Sequence, residues 1–446
     1  RHTPDVNPYS HRQVARIAAP LIISNATVPL LGAVDTAVMG HLDAPDYLAA
    51  VAVGSTLFSI LYLGFNFLRM GTTGLAAQAF GRAQNSELRT VLGQGFLSAL
   101  VLSLALILLQ GLLGSAGLTL IGADGFVEKL AQTYFDIRIW SAPATLCNFV
   151  LLGWFIGMQN GRAPLILLVV ITSVNILLDL VFVVGMGMET DGVALASALA
   201  EYIGLVCGLA LLRPILRDNP GTWQREQILD LGRFRKLLSV NTNLMIRTMS
   251  LLFTFFFITA QGMRMGPAIL AANAVLLNFQ HITAYLLDGL ANAAEALVGR
   301  AVGEGSEAGL DQAVRVSLQW SLAVALCFSV IYLLLGDALV NLLTGLPEIR
   351  QVAGEYLPWM ILSPLISVWS FLFDGVYVGA TRAKEMRNTM LVSTFLVFLP
   401  AWYFTQGMQN HGLWLAFTLF MAARGLTMGW MYRRMRASGE LLNSNG

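Results

Sequence analysis

Twelve long apolar runs constrain this chain more than anything else in it. They fall at about 14–40, 47–80, 88–113, 130–157, 164–185 and 192–213, then 236–262, 267–298, 312–336, 350–380, 388–406 and 412–432. Each is close to or above the ~20 residues that a helix needs to cross a bilayer. Lipid offers a backbone no hydrogen bonds, so every run must close its own as helix. Runs this long and unbroken are not barrel strands. The interruptions are short and turn-like: HLDAPD, GRAQNSE, GMETDG, MRMGP and GEGSEAG. Only 12% of the residues are charged, against about 25% in soluble domains. That leaves no room for a large soluble domain and excludes a soluble nucleic-acid-binding role. The opening RHTPDVNPYSHRQ does not read as a cleavable signal, so the first run is expected to direct insertion.

The longest interruption, RPILRDNPGTWQREQILDLGRFRK, separates six runs from six. The halves also repeat. GHLDAPDYLAAVAV at 40–53 aligns with GMRMGPAILAANAV at 262–275, an offset of 222. At that offset Pro45 meets Pro267, Tyr134 meets Tyr356 and Gly157 meets Gly379, and the GR pair at 81–82 matches that at 299–300. Six spans per repeat is an even number, so both repeats run in the same direction. The expected fold class is an all-α polytopic membrane protein. Its twelve transmembrane helices form two six-helix bundles related by a pseudo-twofold axis along the membrane normal. The expected domains are an N-lobe at 1–213, a cytoplasmic linker at 214–235 and a C-lobe at 236–446.

Lysine and arginine set the orientation. With the N-terminus inside, 20 of the 27 fall in cytoplasmic segments and three, Lys129, Arg264 and Arg350, fall outside. Both termini are therefore expected in the cytoplasm.

Charges inside the runs point to function, because each is costly in lipid, by roughly 2.5–3.5 kcal/mol on insertion scales. Asp35 is the only charge in LIISNATVPLLGAVDTAVMG, above Pro20 and Pro29 on the same helix. Proline removes a backbone donor and permits a kink. Asp179 lies in NILLD of the fifth run, with Asn175 one turn before it on the same face. Counted from their outer ends, both acids lie about 7–9 Å deep. Two carboxylates that meet in low dielectric do not both ionise cheaply, which makes a proton site. The same oxygens with Asn175 would also suit Na+. Glu201 in the sixth run is a few Å deeper. The repeat puts Phe257 opposite Asp35 and Ala401 opposite Asp179, so neither acid is needed to build the fold.

The second half carries Arg247, Asp288, Glu295 and Asp374 in its runs. Arg247 and Asp288 lie near the midplane and are expected to pair, with Arg69 competing as the partner. Asp374 is expected to face the Arg382 cluster. Cys147, Cys207 and Cys327 all fall in apolar runs and read as small buried hydrophobes. His281 and His411 are isolated and read as hydrogen-bonded helix or loop residues. No HExxH or paired-histidine spacing occurs, which argues against an enzyme or a resident metal.

The repeat, APLIISNATVPLLGAVDTAVMGHL, NILLD and FLFDGVYVGATRAKEMRN resemble the multidrug and toxic compound extrusion (MATE) family over essentially the whole chain. NLMIRTMSLLF, AYLLDGLANAAEALVG and DGVYVGATRAKEMRN resemble its bacterial DinF branch. The resemblance implies a secondary antiporter of the bacterial inner membrane. It would export cationic or amphiphilic drugs in exchange for H+, with no cofactor, no nucleic-acid partner and a monomer in the lipid bilayer. It implies that Asp35 is the coupling acid, that Asn175 and Asp179 complete its network and that the first helix bends at Pro20. Tyr134 stands for a tyrosine of the fourth helix. With Glu201 and Asn25 it is a candidate for the substrate cavity or its network. The family network's threonine in the sixth helix falls near Ala200, a departure that counts against a copied sodium site. Anchoring on Gly379 puts Phe371, not Asp374, where another branch carries an acid. Na+-coupled antiport and a lipid flippase are the rival functions.

Overall fold

The computed structural model describes the backbone of residues 7–39, 45–122 and 125–442, and the side chains of these residues except 26–39 and 45. Twelve long helices follow one another: α1 (His11–Met39), α2 (Asp46–Gly81), α3 (Asn85–Leu108), α4 (Gly125–Gly157), α5 (Arg162–Gly185) and α6 (Thr190–Asp218), then α7 (Leu231–Arg264), α8 (Pro267–Glu304), α9 (Glu307–Leu343), α10 (Pro347–Gly379), α11 (Ala383–Met408) and α12 (Asn410–Ala437). Two short helices, Gln110–Ile121 and Arg225–Ile228, lie between them. No strand occurs among the described residues. The eleven helices α2–α12 are each long and apolar enough to cross a membrane. Several outrun their apolar runs; α6 continues to Asp218 and α12 to Ala437. Apolarity marks the stretch that lipid covers, whereas a helix ends where its last carbonyls find other partners.

Four helices depart from α geometry, α4 by a 3-10 turn at Ile139–Ser141. α2 turns at Phe65–Asn66, just after Gly64. α5 widens into a π-helix at Leu180–Gly185, and α11 does so at Val392–Phe398.

The chain divides into two compact units, Ile23–Leu237 (the first unit) and Arg1–Ile22 with Leu238–Gly446 (the second). The later boundary is close to the start expected for the C-lobe. The earlier one falls inside α1, two residues past Pro20. The first turns of α1 count with the second unit because of what holds them. The Tyr9 hydroxyl donates to the Glu304 carboxylate. A Cβ on Gly309 would lie 2.8 Å from the Tyr9 ring, and one on Gly289 would lie 3.0 Å from the Ile22 backbone nitrogen.

Within each unit the packing repeats. On α4, a Cβ on Gly153 would lie 2.2 Å from the Arg69 carbonyl oxygen, and one on Gly157 2.8 Å from that of Thr73. On α10, Gly375 and Gly379 meet the Ala291 and Glu295 carbonyls at 2.5 Å in the same sense. All four pairs obey the offset of 222. The four-residue glycine spacing lets two backbones approach within membrane helices, where close packing and not hydrophobic burial drives association. The turns repeat as well. Ala83 (φ 55) and Gly305 (φ 64) are left-handed, as are Gln159 (φ 59) and Thr381 (φ 56). Gln84 N–H reaches the Ala79 carbonyl at 3.0 Å, and Ser306 N–H reaches that of Ala301 at 3.0 Å. These are helix-closing turns of one kind, kept where the sequence shows little likeness.

Candidate functional site

α5 and α6 pack side by side in the first unit and bury a polar group. Asp179 and Asn175 project from α5 one turn apart and are 0% and 1% exposed. Ser197 projects from α6. The Asn175 amide lies 2.9 Å from the Ser197 hydroxyl. One orientation of that amide satisfies both of its ends. Its Nδ2 donates to Asp179 Oδ2 at 2.9 Å, while its Oδ1 accepts from the Ser197 hydroxyl at 2.9 Å and from the Ser197 N–H at 3.2 Å. The π-helix starts at Leu180, directly after the acid. Such widened turns re-aim side chains and gather at functional sites. The hydroxyl from the sixth helix thus comes from Ser197, one turn before Ala200, the position that sequence alignment singled out.

Asp35 belongs to α1, but its side chain lies outside the described residues, so its meeting with Asp179 stays an expectation. Pro20 and Asn25 are both half-buried on α1, either side of the unit boundary.

Glu201 turns to α4 instead of α5. Asn148 Nδ2 donates to its carboxylate at 2.9 Å and to its backbone carbonyl at 3.0 Å. Tyr134 is fully buried. Its ring fills the space left by Gly54, where a Cβ would come within 2.4 Å. Its hydroxyl accepts from Arg138 and lies 3.2 Å from the Ser55 hydroxyl. The Arg138 guanidinium also sits over the Phe58 ring, 5.1 Å from its centroid. Tyr134 is therefore part of an aromatic–cation core. Sequence reasoning did not single out Arg138; the YxxxR spacing on one helix face was the available signal.

The second unit arranges its charges differently from the expected pair. Arg247 of α7 donates to Asp374 of α10, and Arg424 of α12 donates to the same oxygen at 2.7 Å. All three are buried. Asp288, the partner expected for Arg247, lies close enough to act electrostatically on Arg424. Arg69, the expected competitor, is in the first unit and donates to Asn66 Oδ1 at 3.2 Å. Asp374 does not face the Arg382 cluster: Arg382 donates to the Glu440 carbonyl. Pairing depends on how three helices are rotated, which a count of depth does not encode.

The remaining expectations divide. His411 accepts from Trp359 Nε1 at 3.2 Å, as a hydrogen-bonded helix residue. Cys147 is buried, but Cys207 is half-buried and Cys327 is exposed; all three are free thiols. A lipid-facing cysteine satisfies apolarity without burial. Among the described residues no three His, Cys, Asp or Glu side chains gather as a metal site.

The MatE family profile matches residues 20–181 and 242–403, one stretch in each half. The chain belongs to the MatE family. It is accordingly a multi-pass membrane transporter and not an enzyme. DNA damage-inducible protein F of Escherichia coli (strain K12) is 44% identical to it over 435 residues, covering 96% of this chain and 94% of that one. Multidrug resistance protein MdtK of Edwardsiella ictaluri is 23% identical, with 96% of each chain covered. A crystal structure of a mutant of the Vibrio cholerae MATE transporter VcmN superposes with a TM-score of 0.85 at 19% identity, covering 97% of this chain and 98% of that one. This last likeness shows the shared two-lobe fold.

Proposed function

We propose that this MatE protein exports cationic or amphiphilic compounds across the bacterial inner membrane in exchange for H+, by alternating access, with both termini in the cytoplasm. The name of the Edwardsiella relative, a multidrug resistance protein, supports the substrate class. The carrying observation is the buried Asp179–Asn175–Ser197 group beside a π-turn.

Its chemistry is reversible. When Asp179 is ionised, Asn175 turns its N–H to the carboxylate and its oxygen to Ser197. When Asp179 is protonated, its O–H donates to the Asn175 oxygen and the amide donates to the Ser197 hydroxyl. A neutral amide accommodates both states by a half-turn, so a proton changes the polarity of contacts between α5 and α6. With the amide oxygen turned to Ser197, it is not offered to a cation at Asp179, which favours H+ over Na+.

Asp35 is the partner that carries this change to α1. Pro20 lies near the point where that helix passes from one compact unit to the other, which suits a hinge. Coupling requires that proton and substrate prefer different states of this element. A cationic substrate that competes for the carboxylates meets that condition. Glu201, Tyr134 and Asn25 serve the cavity and its supporting network, and the transporter works as a monomer without a cofactor.

The test is drug efflux from sealed proteoliposomes under a pH gradient or a sodium gradient imposed separately, with the parent and Asp35→Asn compared. Drive by ΔpH alone, lost in the variant at unchanged folding, is expected. Drive by sodium alone, or an unimpaired variant, would overturn the assignment.

A further inference from the structure

The second unit carries a groove of about 700 Å³ where α9, α10 and α12 diverge. Leu318, Leu365, Trp369, Gly425, Trp430 and Arg433 are among its lining residues. It lies toward the end of the unit where α9 begins and α12 finishes. Its walls are apolar and open: Leu426 is 73% exposed and Trp430 61%.

The rim is basic. Arg433 borders the groove, and Arg315 follows the lining residue Val314. Both are exposed, and among the described residues neither makes an ion pair. The Arg434 guanidinium lies 5.9 Å from the centroid of the Trp430 ring. The acids at this end are already engaged: Asp311 and Glu307 pair with Arg436 at 2.9 and 3.3 Å. The surface therefore combines an apolar trough, interfacial aromatics and exposed arginines at one edge, of which Arg315 also feels Asp311. The first unit treats the matching surface otherwise. At the offset of 222, Arg315 corresponds to Gly93. There the short helix Arg225–Ile228 lies on α3, with Ile228 within 2.8 Å of where a Gly93 Cβ would stand and the Gln227 carbonyl accepting from Gln94 at 3.1 Å. Protein covers one site and leaves the other open to lipid.

We propose that this groove is a binding site for an anionic phospholipid, with an acyl chain against α9, α10 and α12 and the phosphate on Arg433 and Arg315. Buried acyl area supplies affinity. Each arginine near the headgroup adds discrimination for negative charge. This site is independent of the coupling acids, so its failure leaves the transport reading untouched.

The experiment follows the unfolding midpoint of the full chain in nonionic detergent during titration with phosphatidylglycerol, phosphatidylcholine or glycerol phosphate. A ligand that binds only the folded state raises that midpoint. A saturable rise with phosphatidylglycerol, weaker with phosphatidylcholine and absent with glycerol phosphate, is expected. Arg433→Gln and Arg315→Gln should each weaken the phosphatidylglycerol response by about fivefold, and Ala422→Trp, which fills the trough, should remove it. Equal responses to the two lipids, a response to glycerol phosphate alone, or arginine variants that respond like the parent would overturn the proposal. So would displacement of the lipid by a cationic dye, which would make the groove a substrate path.

Discussion

Both units tie their fourth helix to their sixth with buried polar groups, but they use different chemistry. The first unit joins Asn148 of α4 to Glu201 of α6 and, between α5 and α6, lets Asn175 donate to Asp179. The second unit clamps Asp374 of α10 between two arginines, from α7 and α12. An amide is neutral and can reverse its polarity by rotating. A guanidinium has only donors and keeps its charge. Under the proposed coupling the acids of the first unit exchange a proton and keep their partners, whereas Asp374 accepts from two side chains that keep their charge. The two halves share a fold, and one gives its buried acid a neutral amide partner while the other gives it two fixed charges.

That contrast can be broken experimentally. Replacing Asp374 with Ala leaves two buried guanidiniums without their shared carboxylate. It should cost about 3–5 kcal/mol, read as a large fall in the unfolding midpoint. Asp179→Asn should leave that midpoint close to the parent value and remove proton-driven transport instead. Equal destabilisation by both would erase the distinction.

The glycine seams should be alike in the two units. Gly153→Ala and Gly375→Ala each drive a methyl group into a carbonyl oxygen, at 2.2 and 2.5 Å. Overpacking of this kind costs about 1–3 kcal/mol, so the two variants should lose comparable amounts of folded protein after heating. A neutral Gly153→Ala would show that α2 and α4 can separate freely.

The smallest effect lies at a helix end, at Arg436. In the first unit the buried Arg89 donates to the Leu216 and Asn219 carbonyls at 2.8 Å, capping α6 from α3. In the second unit the polarity is reversed: Arg436 at the end of α12 reaches Asp311 of α9, the residue at offset 222 from Arg89. Arg89→Ala should cost about 1.5–3 kcal/mol, because charged hydrogen bonds are lost from a buried position. Arg436→Ala should cost below about 1 kcal/mol, as an exposed pair. Protection of the α6 end from hydrogen exchange should fall in the first variant, and that of the α12 end should hardly change in the second.

Much of this was legible in the chain itself. The twelve apolar runs correspond to the twelve helices, since lipid permits little else. The offset of 222 carries over to glycine seams and turns, because a repeated backbone needs the same small residues in the same places. Asn175 and Asp179 share a helix face through four-residue spacing, which is local geometry. Periodicity and burial cost act along one helix and can be read from one dimension.

Tertiary structure decided the partners. Asp374, not Asp288, accepts from Arg247; Ser197, one turn before Ala200, supplies the hydroxyl; and Tyr9 ties the start of α1 to the second unit. Each depends on the rotation and approach of separate helices. A side chain's depth follows from residue counting, but its direction across to a neighbour follows from packing, to which every helix in the unit contributes.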